Sequence, residues 1–275
     1  MNDRIVLITG ASSGIGKEIA RIVAARGHTP LLVARNRKPL AALQRELGRG
    51  ECFSCDVTSQ EDVKDLVEEV IQRYGKVDVL MNNAGYGCFG GALDVPIHEV
   101  EGMAETNYLG TVRIILAFLP HMLQQGEGRI VNIASVAGLT GIPNLAAYSA
   151  SKFALMGFSE SLRLEYSPRI QVGVLCPGPV QTPFFRGEDP ARLFPGPIAR
   201  QLLDVKTVAE EAVRLIDRPR VKVIPWSLRW AIRIRNMAPG VYFWATKRMY
   251  DASRTPPLPH PADGPNPSHG ARRDT

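Results

Sequence analysis

Thr9-Gly10-Ala11-Ser12-Ser13-Gly14-Ile15-Gly16 decides the fold. The run leading into it, Arg4-Ile5-Val6-Leu7-Ile8-Thr9, is short and almost continuously apolar, as a central strand buried on both faces must be. Beyond it, the stretch from Lys17 to Gly27 continues a helical spacing set by Ile15, Ile19, Ile22 and Val23, with Gly27 as a C-terminal stop. Strand, glycine-rich turn and helix in this order form a dinucleotide-binding unit. Gly10 permits the tight turn, Gly14 lets backbone approach a pyrophosphate, and Gly16 lets helix and strand pack closely. Ser12, Ser13 and Ile15 complete the turn where an anion rests on the unpaired N–H groups and the positive end of the helix dipole.

Outward from this unit, strand-like and helical patterns alternate. Thr29–Arg35 precedes a helix near Lys38–Leu47, and Glu51–Val57 precedes one near Gln60–Tyr74. Val77–Asn83 leads to a long helix near Ile97–Leu123, and Arg129–Ser135 to a helix carrying Tyr148 and Lys152. Ile170–Pro177 and Val221–Pro225 read as the last strands. The alternation predicts an α/β fold, a doubly wound parallel sheet of Rossmann type with ligands at the carboxyl ends of the strands. Over 275 residues it divides into a catalytic domain at 1–225, a basic aromatic extension at 226–254 and a disordered tail at 255–275. No stretch is apolar for long enough to span a bilayer, and the first strand opens at the N-terminus without room for a signal peptide, so a cytoplasmic location is expected.

Tyr148 and Lys152 lie four residues apart, and on a helix such residues share a face. A phenol titrates near ~10, too high for a proton shuttle at neutral pH, and a neighbouring cation lowers that value. The spacing therefore suggests that Lys152 tunes Tyr148 as a general acid/base, with Ser135 hydrogen-bonding the substrate oxygen. By itself Tyr-x-x-x-Lys is a common helix surface pair, and the glycine turn is what gives it meaning.

Taken together, the motifs resemble the short-chain dehydrogenase/reductase superfamily, classical type, over most of residues 3 to 225. The glycine spacing Thr-Gly-x-x-x-Gly-x-Gly matches, and further segments follow in the family's order. The resemblance implies an adenine contact at Asp56-Val57. It implies support of sheet and cofactor at Asn82-Asn83-Ala84-Gly85, and nicotinamide contacts at Pro177, Gly178, Val180 and Thr182. It implies a catalytic tetrad of Asn107, Ser135, Tyr148 and Lys152, with Asn107 holding a relay water and Lys152 also binding the nicotinamide ribose. The expected activity is hydride transfer between a nicotinamide cofactor and a ketone or secondary alcohol. The alternative is a catalytically weak NADP(H)-binding redox sensor or regulator. Such proteins commonly lose the Tyr or the Lys, and this chain keeps both.

Choice of cofactor turns on the end of the second strand, Val33-Ala34-Arg35-Asn36-Arg37-Lys38, which has three cations and no carboxylate. A carboxylate there would bond the ribose hydroxyls and repel a 2′-phosphate, whereas Arg35 offers a fork of donors to one. NADP(H) is therefore favoured over NAD(H). Ser13 departs from the pattern, since many NADP-preferring relatives carry a second basic residue at its place.

Candidate substrate-lining segments are Gly85–Gly91, Ala137–Ile142 and an insertion from Pro183 to about Lys206. They supply Tyr86, Phe89, Leu139, Ile142, Phe184, Phe185, Leu193 and Phe194, so a small lipophilic carbonyl or alcohol substrate is expected. Leu139 and Ile142 serve equally well as core, and Arg186 and Arg192 face either an acidic group or water. Cys52 and Cys55 have Cys-x-x-Cys spacing but no second pair and no His nearby, so they read as buried free thiols and no metal is assigned. Cys88 and Cys176 adjoin cofactor motifs and are candidates for the pocket wall.

Net charge is +6, yet Arg218 to Arg254 alone holds nine Lys or Arg against one acid, Asp251. No nucleic-acid motif accompanies those cations, so nucleic acid is not an expected partner. Trp226 to Ile234 reads as a helix apolar nearly all round with Arg229 and Arg233 on one edge, broken at Pro239-Gly240 and resumed by Val241-Tyr242-Phe243-Trp244. All three tryptophans lie here. An interfacial membrane anchor through residues 226–250, a flap over the pocket, and a homo-oligomer contact all fit this composition.

Overall fold

The computed structural model describes residues 3–182, 184 and 193–252. Seven parallel strands form one sheet in the order β3-β2-β1-β4-β5-β6-β7. They are β1 (Ile5–Thr9), β2 (Thr29–Ala34), β3 (Glu51–Ser54), β4 (Val79–Asn82), β5 (Gly128–Ile133), β6 (Ile170–Pro177) and β7 (Val221–Ile224). The strand order reverses between β1 and β4, the crevice where such sheets bind ligands.

Side-chain alternation on the central strand builds two cores. Val6 and Ile8 face α1 (Gly14–Ala25), with Ile19 and Val23 against them. Leu7 faces the opposite layer, where α3 (Gln60–Tyr74) contributes Val63, Leu66 and Val70 and α5 (Gly110–Gln125) contributes Ile114, Ile115, Phe118 and Met122. Because both faces of the sheet are covered, strands such as β1 carry apolar residues at successive positions. Each fully buried large side chain here contributes roughly 1.5–3 kcal/mol. Two further helices, α2 (Arg37–Leu47) and α6 (Ala146–Tyr166), follow β2 and β5 respectively.

Several boundaries differ from the sequence reading, each for a local reason. β3 ends at Ser54 rather than Val57, because Asp56 turns the chain: its Oδ1 accepts from the Thr58 N–H at 2.9 Å and from the Thr58 hydroxyl at 2.8 Å. The expected long helix from Ile97 is interrupted. It runs as α4 (Ile97–Ala104), a π-helical turn (Glu105–Leu109) and then α5. Such turns commonly mark functional sites. Gly110, the first residue of α5, has no room for a side chain, since a Cβ there would lie 2.7 Å from Val57 Cγ2.

The last helices are α7 (Val205–Asp217), α8 (Trp226–Met237) and α9 (Pro239–Ala252). The chain bends at Ala238, and Pro239 opens α9 rather than interrupting a helix. A first helical position needs no N–H donor, so Pro fits there. Among the described residues no helix is long and apolar enough to cross a membrane. The expected disordered tail at 255–275 lies outside the described residues, as do Pro183, Phe185, Arg186 and Arg192.

Candidate active site

The end of β1 is fastened to the end of β4. Thr9 Oγ1 accepts from the backbone N–H groups of Asn83 and Ala84, both at 3.0 Å. Asn83 Nδ2 donates back to the carbonyls of Thr9 and Gly10, at 3.1 and 3.3 Å. This clamp leaves Gly16 no room: a Cβ would come within 2.3 Å of the Gly10 oxygen and 2.5 Å of Asn83 Nδ2. Gly16 is thus buried packing, off the cavity wall, while Gly10, Ser12, Ser13, Gly14 and Ile15 line it. Gly14 takes φ +53° and would meet only the Thr182 side chain, at 3.6 Å. Ser13 caps α1 through its backbone alone, so the first-turn N–H groups have no side-chain cap. A turn this open at a 12-residue helix is suited to a phosphate.

The cavity encloses about 1430 Å³. Around the glycine turn, its wall includes Arg35, Asp56, Val57, Asn83, Ala84 and Gly85, and on the far side Pro177, Gly178, Val180 and Thr182. Arg35 is exposed at the end of β2, and its carbonyl accepts from the Ser54 hydroxyl at 3.0 Å. Cavity, open turn and exposed cation suit an extended dinucleotide.

Ser135, Tyr148 and Lys152 meet where this groove widens. Ser135 ends the segment after β5 and caps a short 3₁₀ turn, its Oγ accepting from the Ala137 N–H at 3.1 Å. Tyr148, in the first turn of α6, is buried and hydrogen-bonded to the Ser135 side chain, with the Phe184 ring edge-on at 5.5 Å. One turn on, Lys152 donates from Nζ to the Ile133 carbonyl at 2.9 Å and lies 5.8 Å from the centre of the Tyr148 ring. Burial lowers the Lys152 ammonium to about 8. Burial raises the Tyr148 phenol above its ordinary value, and the Ser135 hydrogen bond opposes this. Desolvation is the largest influence on the phenol, and the Lys152 Nζ donates to a backbone carbonyl.

Asn107, unlike the other expected catalytic residues, does not line the cavity. It is fully buried in the π turn. Its Oδ1 accepts from the Tyr86 N–H at 2.9 Å, and its Nδ2 donates to the Tyr86 carbonyl at 2.9 Å and to Ser151 Oγ at 3.0 Å. The amide thereby ties the Tyr86 backbone to α6.

Beyond Tyr148 the cavity becomes apolar, with Ile142, Phe184 and Phe194 on one side and Leu228, Ala231 and Met249 on the other. Of the other expected lining residues, Tyr86 is in the wall, while Phe89 and Leu193 pack behind it with Phe194. Leu139 belongs to a separate core cluster. Cys88 and Cys176 are corrected as well. The Cys88 N–H points at Met103 Sδ at 3.4 Å, and Cys176 is buried against Met156 Sδ at 3.6 Å, its thiol pushed up to about 12 by burial. Cys55 lines the cavity instead.

Sequence reading missed Thr9 as a site residue, although it stands in the diagnostic turn. It also missed a buried polar chain in which Asn82 Nδ2 donates to Asn132 Oδ1 at 2.9 Å and Asn132 Nδ2 to Ser159 Oγ at 2.9 Å, joining β4, β5 and α6. An asparagine at the same register on adjacent strands was its only signal. Of the three readings of the C-terminal extension, the flap acquires geometric support, because α8 and α9 form one wall of the cavity. Gly178 admits that wall, since a Cβ there would lie 2.7 Å from Leu228 Cδ1.

Fold and site together define an oxidoreductase on a doubly wound, nucleotide-binding sheet. The chain belongs to the short chain dehydrogenase family, whose model matches residues 4–192. That family uses a nicotinamide cofactor and acts on C=O and CH–OH groups. The chain is 42% identical over 186 residues to a 3-ketodihydrosphingosine reductase from Bacteroides thetaiotaomicron, covering 67% of this chain and 66% of the relative, just under two thirds of its length. Among solved structures, a short-chain dehydrogenase from Streptomyces avermitilis superposes with a TM-score of 0.78 at 30% identity, covering 92% of this chain and 98% of that one. A variant of actinorhodin polyketide ketoreductase with NADPH gives a TM-score of 0.74 at 34% identity, covering 81% and 95%.

Proposed function

We propose that the protein is an NADPH-dependent reductase of a lipophilic ketone, working in the cytoplasm, with Tyr148 as the proton donor. The observation that carries this reading is the position of the Tyr148 phenol, bonded to Ser135 at the junction of a nucleotide-sized groove and an apolar chamber. When bound, the nicotinamide supplies the hydride. Gly14 and the uncapped start of α1 would hold its pyrophosphate, Asp56 and Val57 its adenine end, and Lys152 its ribose. Pro177, Gly178, Val180 and Thr182 would border the nicotinamide.

During reduction, Tyr148 gives its proton to the carbonyl oxygen while Ser135 steadies that oxygen as negative charge develops. The phenol enters protonated at neutral pH, which is the state reduction needs. Lys152 anchors this end of α6 to β5 through the Ile133 carbonyl. Asn107 is a positioning residue that holds Tyr86 and Ser151. The chamber walls, Ile142, Phe184, Phe194 and Leu228, suit an alkyl chain rather than a sugar or a charged metabolite. The name of the Bacteroides relative, a reductase of a long-chain keto lipid, supports the same substrate class. The four free cysteines suit a reducing compartment.

Arg35 supports the choice of NADPH, because its exposed guanidinium at the end of β2 offers a bidentate site for a 2′-phosphate. The neighbouring structure with NADPH points the same way. Oxidation of NADPH and NADH should be compared with a panel of long-chain ketones and 3-oxoacyl thioesters. We expect NADPH to be preferred, and Arg35→Asp to cut kcat/KM for NADPH by about 10- to 100-fold with little change for NADH, the loss of one or two charge-assisted hydrogen bonds. A wild-type preference for NADH, or no response to Arg35→Asp, contradicts the assignment.

A further inference from the structure

Exposed apolar surface is concentrated in one place. Of the thirteen large apolar side chains exposed among the described residues, seven lie on the hairpin of α8 and α9: Trp226, Trp230, Ile234, Met237, Val241, Phe243 and Trp244. Trp226, Trp230, Ile234 and Met237 recur at helical spacing and so share one face of α8, while Ser227, Leu228 and Ala231 turn to the cavity. Exposure is large, 71% at Trp226, 86% at Met237 and 65% at Trp244. A contiguous apolar face of this kind marks an interaction site.

The cations are interleaved with the aromatics. Arg229, Arg233, Arg235, Lys247 and Arg248 stand against Asp251 alone, which is paired with Lys247 at 3.0 Å. The Arg233 guanidinium lies over the Trp230 ring at 4.8 Å, and that of Arg248 over Trp244 at 5.9 Å. A second copy of the chain would bring the same surplus of positive charge against itself across a two-fold axis, which is repulsive. An anionic surface complements it, and tryptophan with arginine at a water–apolar boundary is the composition of an interfacial helix. Helices of 12 and 14 residues are too short to cross a bilayer, so such contact is made in the plane of the interface.

Ile234 and Val241 both line the cavity and reach solvent, so the cavity reaches the surface at the exposed face as well. We propose that the hairpin Trp226–Ala252 docks on an anionic phospholipid bilayer, in the interfacial plane, with the cavity mouth turned to the lipid. Docking of this kind does not depend on which reaction the site performs. Its consequence is that a lipophilic ligand can pass between bilayer and chamber without crossing water.

Because all three tryptophans belong to this hairpin, intrinsic tryptophan fluorescence reports on it alone. The full chain is titrated with vesicles of phosphatidylglycerol and phosphatidylcholine, and separately with phosphatidylcholine alone, followed by flotation. Expected are a blue shift and co-flotation with the anionic vesicles, reversed by salt and weak with the neutral ones. R233Q/R248Q should lower the partition coefficient about thirtyfold, the effect of two cations near an anionic surface. W230S/W244S should lose flotation while binding NADPH as the wild type does, which shows that the fold survives. No shift or flotation of the wild type with anionic vesicles overturns the proposal, as does binding unchanged by R233Q/R248Q. Self-association abolished by these substitutions, without lipid binding, would assign the face to a second copy instead.

Discussion

Tyr148→Phe is expected to lower turnover by about 10²- to 10⁴-fold, the range for removing a general acid, with NADPH binding little changed. The substitution removes one oxygen from a residue whose ring is otherwise packing. The edge-on contact with Phe184 at 5.5 Å is made by the ring and persists without the hydroxyl, and Ser135 Oγ retains the Ala137 N–H at 3.1 Å. The lost proton donor should therefore appear in kcat, as expected for an interaction made in the transition state. Stopped-flow turnover and a fluorescence titration with NADPH separate the two effects. If cofactor binding collapses together with turnover, Tyr148 is a structural residue and the proposed role fails.

Gly16→Ala is expected to be strongly damaging. Its Cβ would stand 2.3 Å from the Gly10 oxygen and 2.5 Å from Asn83 Nδ2, and neither atom can move freely. The oxygen belongs to the glycine turn, and the amide is bonded to Thr9 and Gly10 at 3.1 and 3.3 Å. Relief comes by shifting the turn that cradles the pyrophosphate or by parting α1 from the sheet. We expect a stability loss of about 1–3 kcal/mol, the usual cost of overpacking, and at least a tenfold weaker affinity for NADPH. Gly157→Ala on the exposed face of α6 is the control. Nothing lies within 4 Å of its Cβ, so it should be neutral or stabilising by up to about 1 kcal/mol. Denaturant melts and NADPH titrations of both variants check this, and equal behaviour would refute the close-packing argument.

Much of the fold was legible because its decisive signals are local. An apolar run before the glycine turn could only be a strand covered on both faces, and Ile19 and Val23 at helical spacing named the face of α1 that covers it. The four-residue spacing of Tyr148 and Lys152 put them on one side of α6, and both reach the cavity. What was not legible depends on partners remote in sequence. Asn107 lies in a helical pattern, and nothing in that pattern tells that its amide spans to Tyr86 and Ser151. Cys176 follows the pattern of a pocket residue, yet strand alternation turns it behind Lys152 to meet Met156. Proximity of Lys152 to Tyr148 was legible in the spacing, but the burial that raises the phenol was not, because the sequence does not report desolvation. The α8–α9 wall offered only composition, which fits flap, anchor and oligomer contact alike, and its separation into a cavity face and an exposed face depends on the fold.

The account is tested most directly by following the hydride. NADPH carrying deuterium at one or the other C4 position is mixed with the full-length protein and a long-chain ketone, and the product alcohol is analysed by mass spectrometry. The account predicts that one of the two labels, and not the other, appears on the carbinol carbon, one deuterium per NADPH consumed, and that Tyr148→Phe suppresses the transfer. Tight NADPH binding with no deuterium transferred from either label, across the ketone and 3-oxoacyl thioester panel, would contradict it and leave a protein that binds the cofactor without using it.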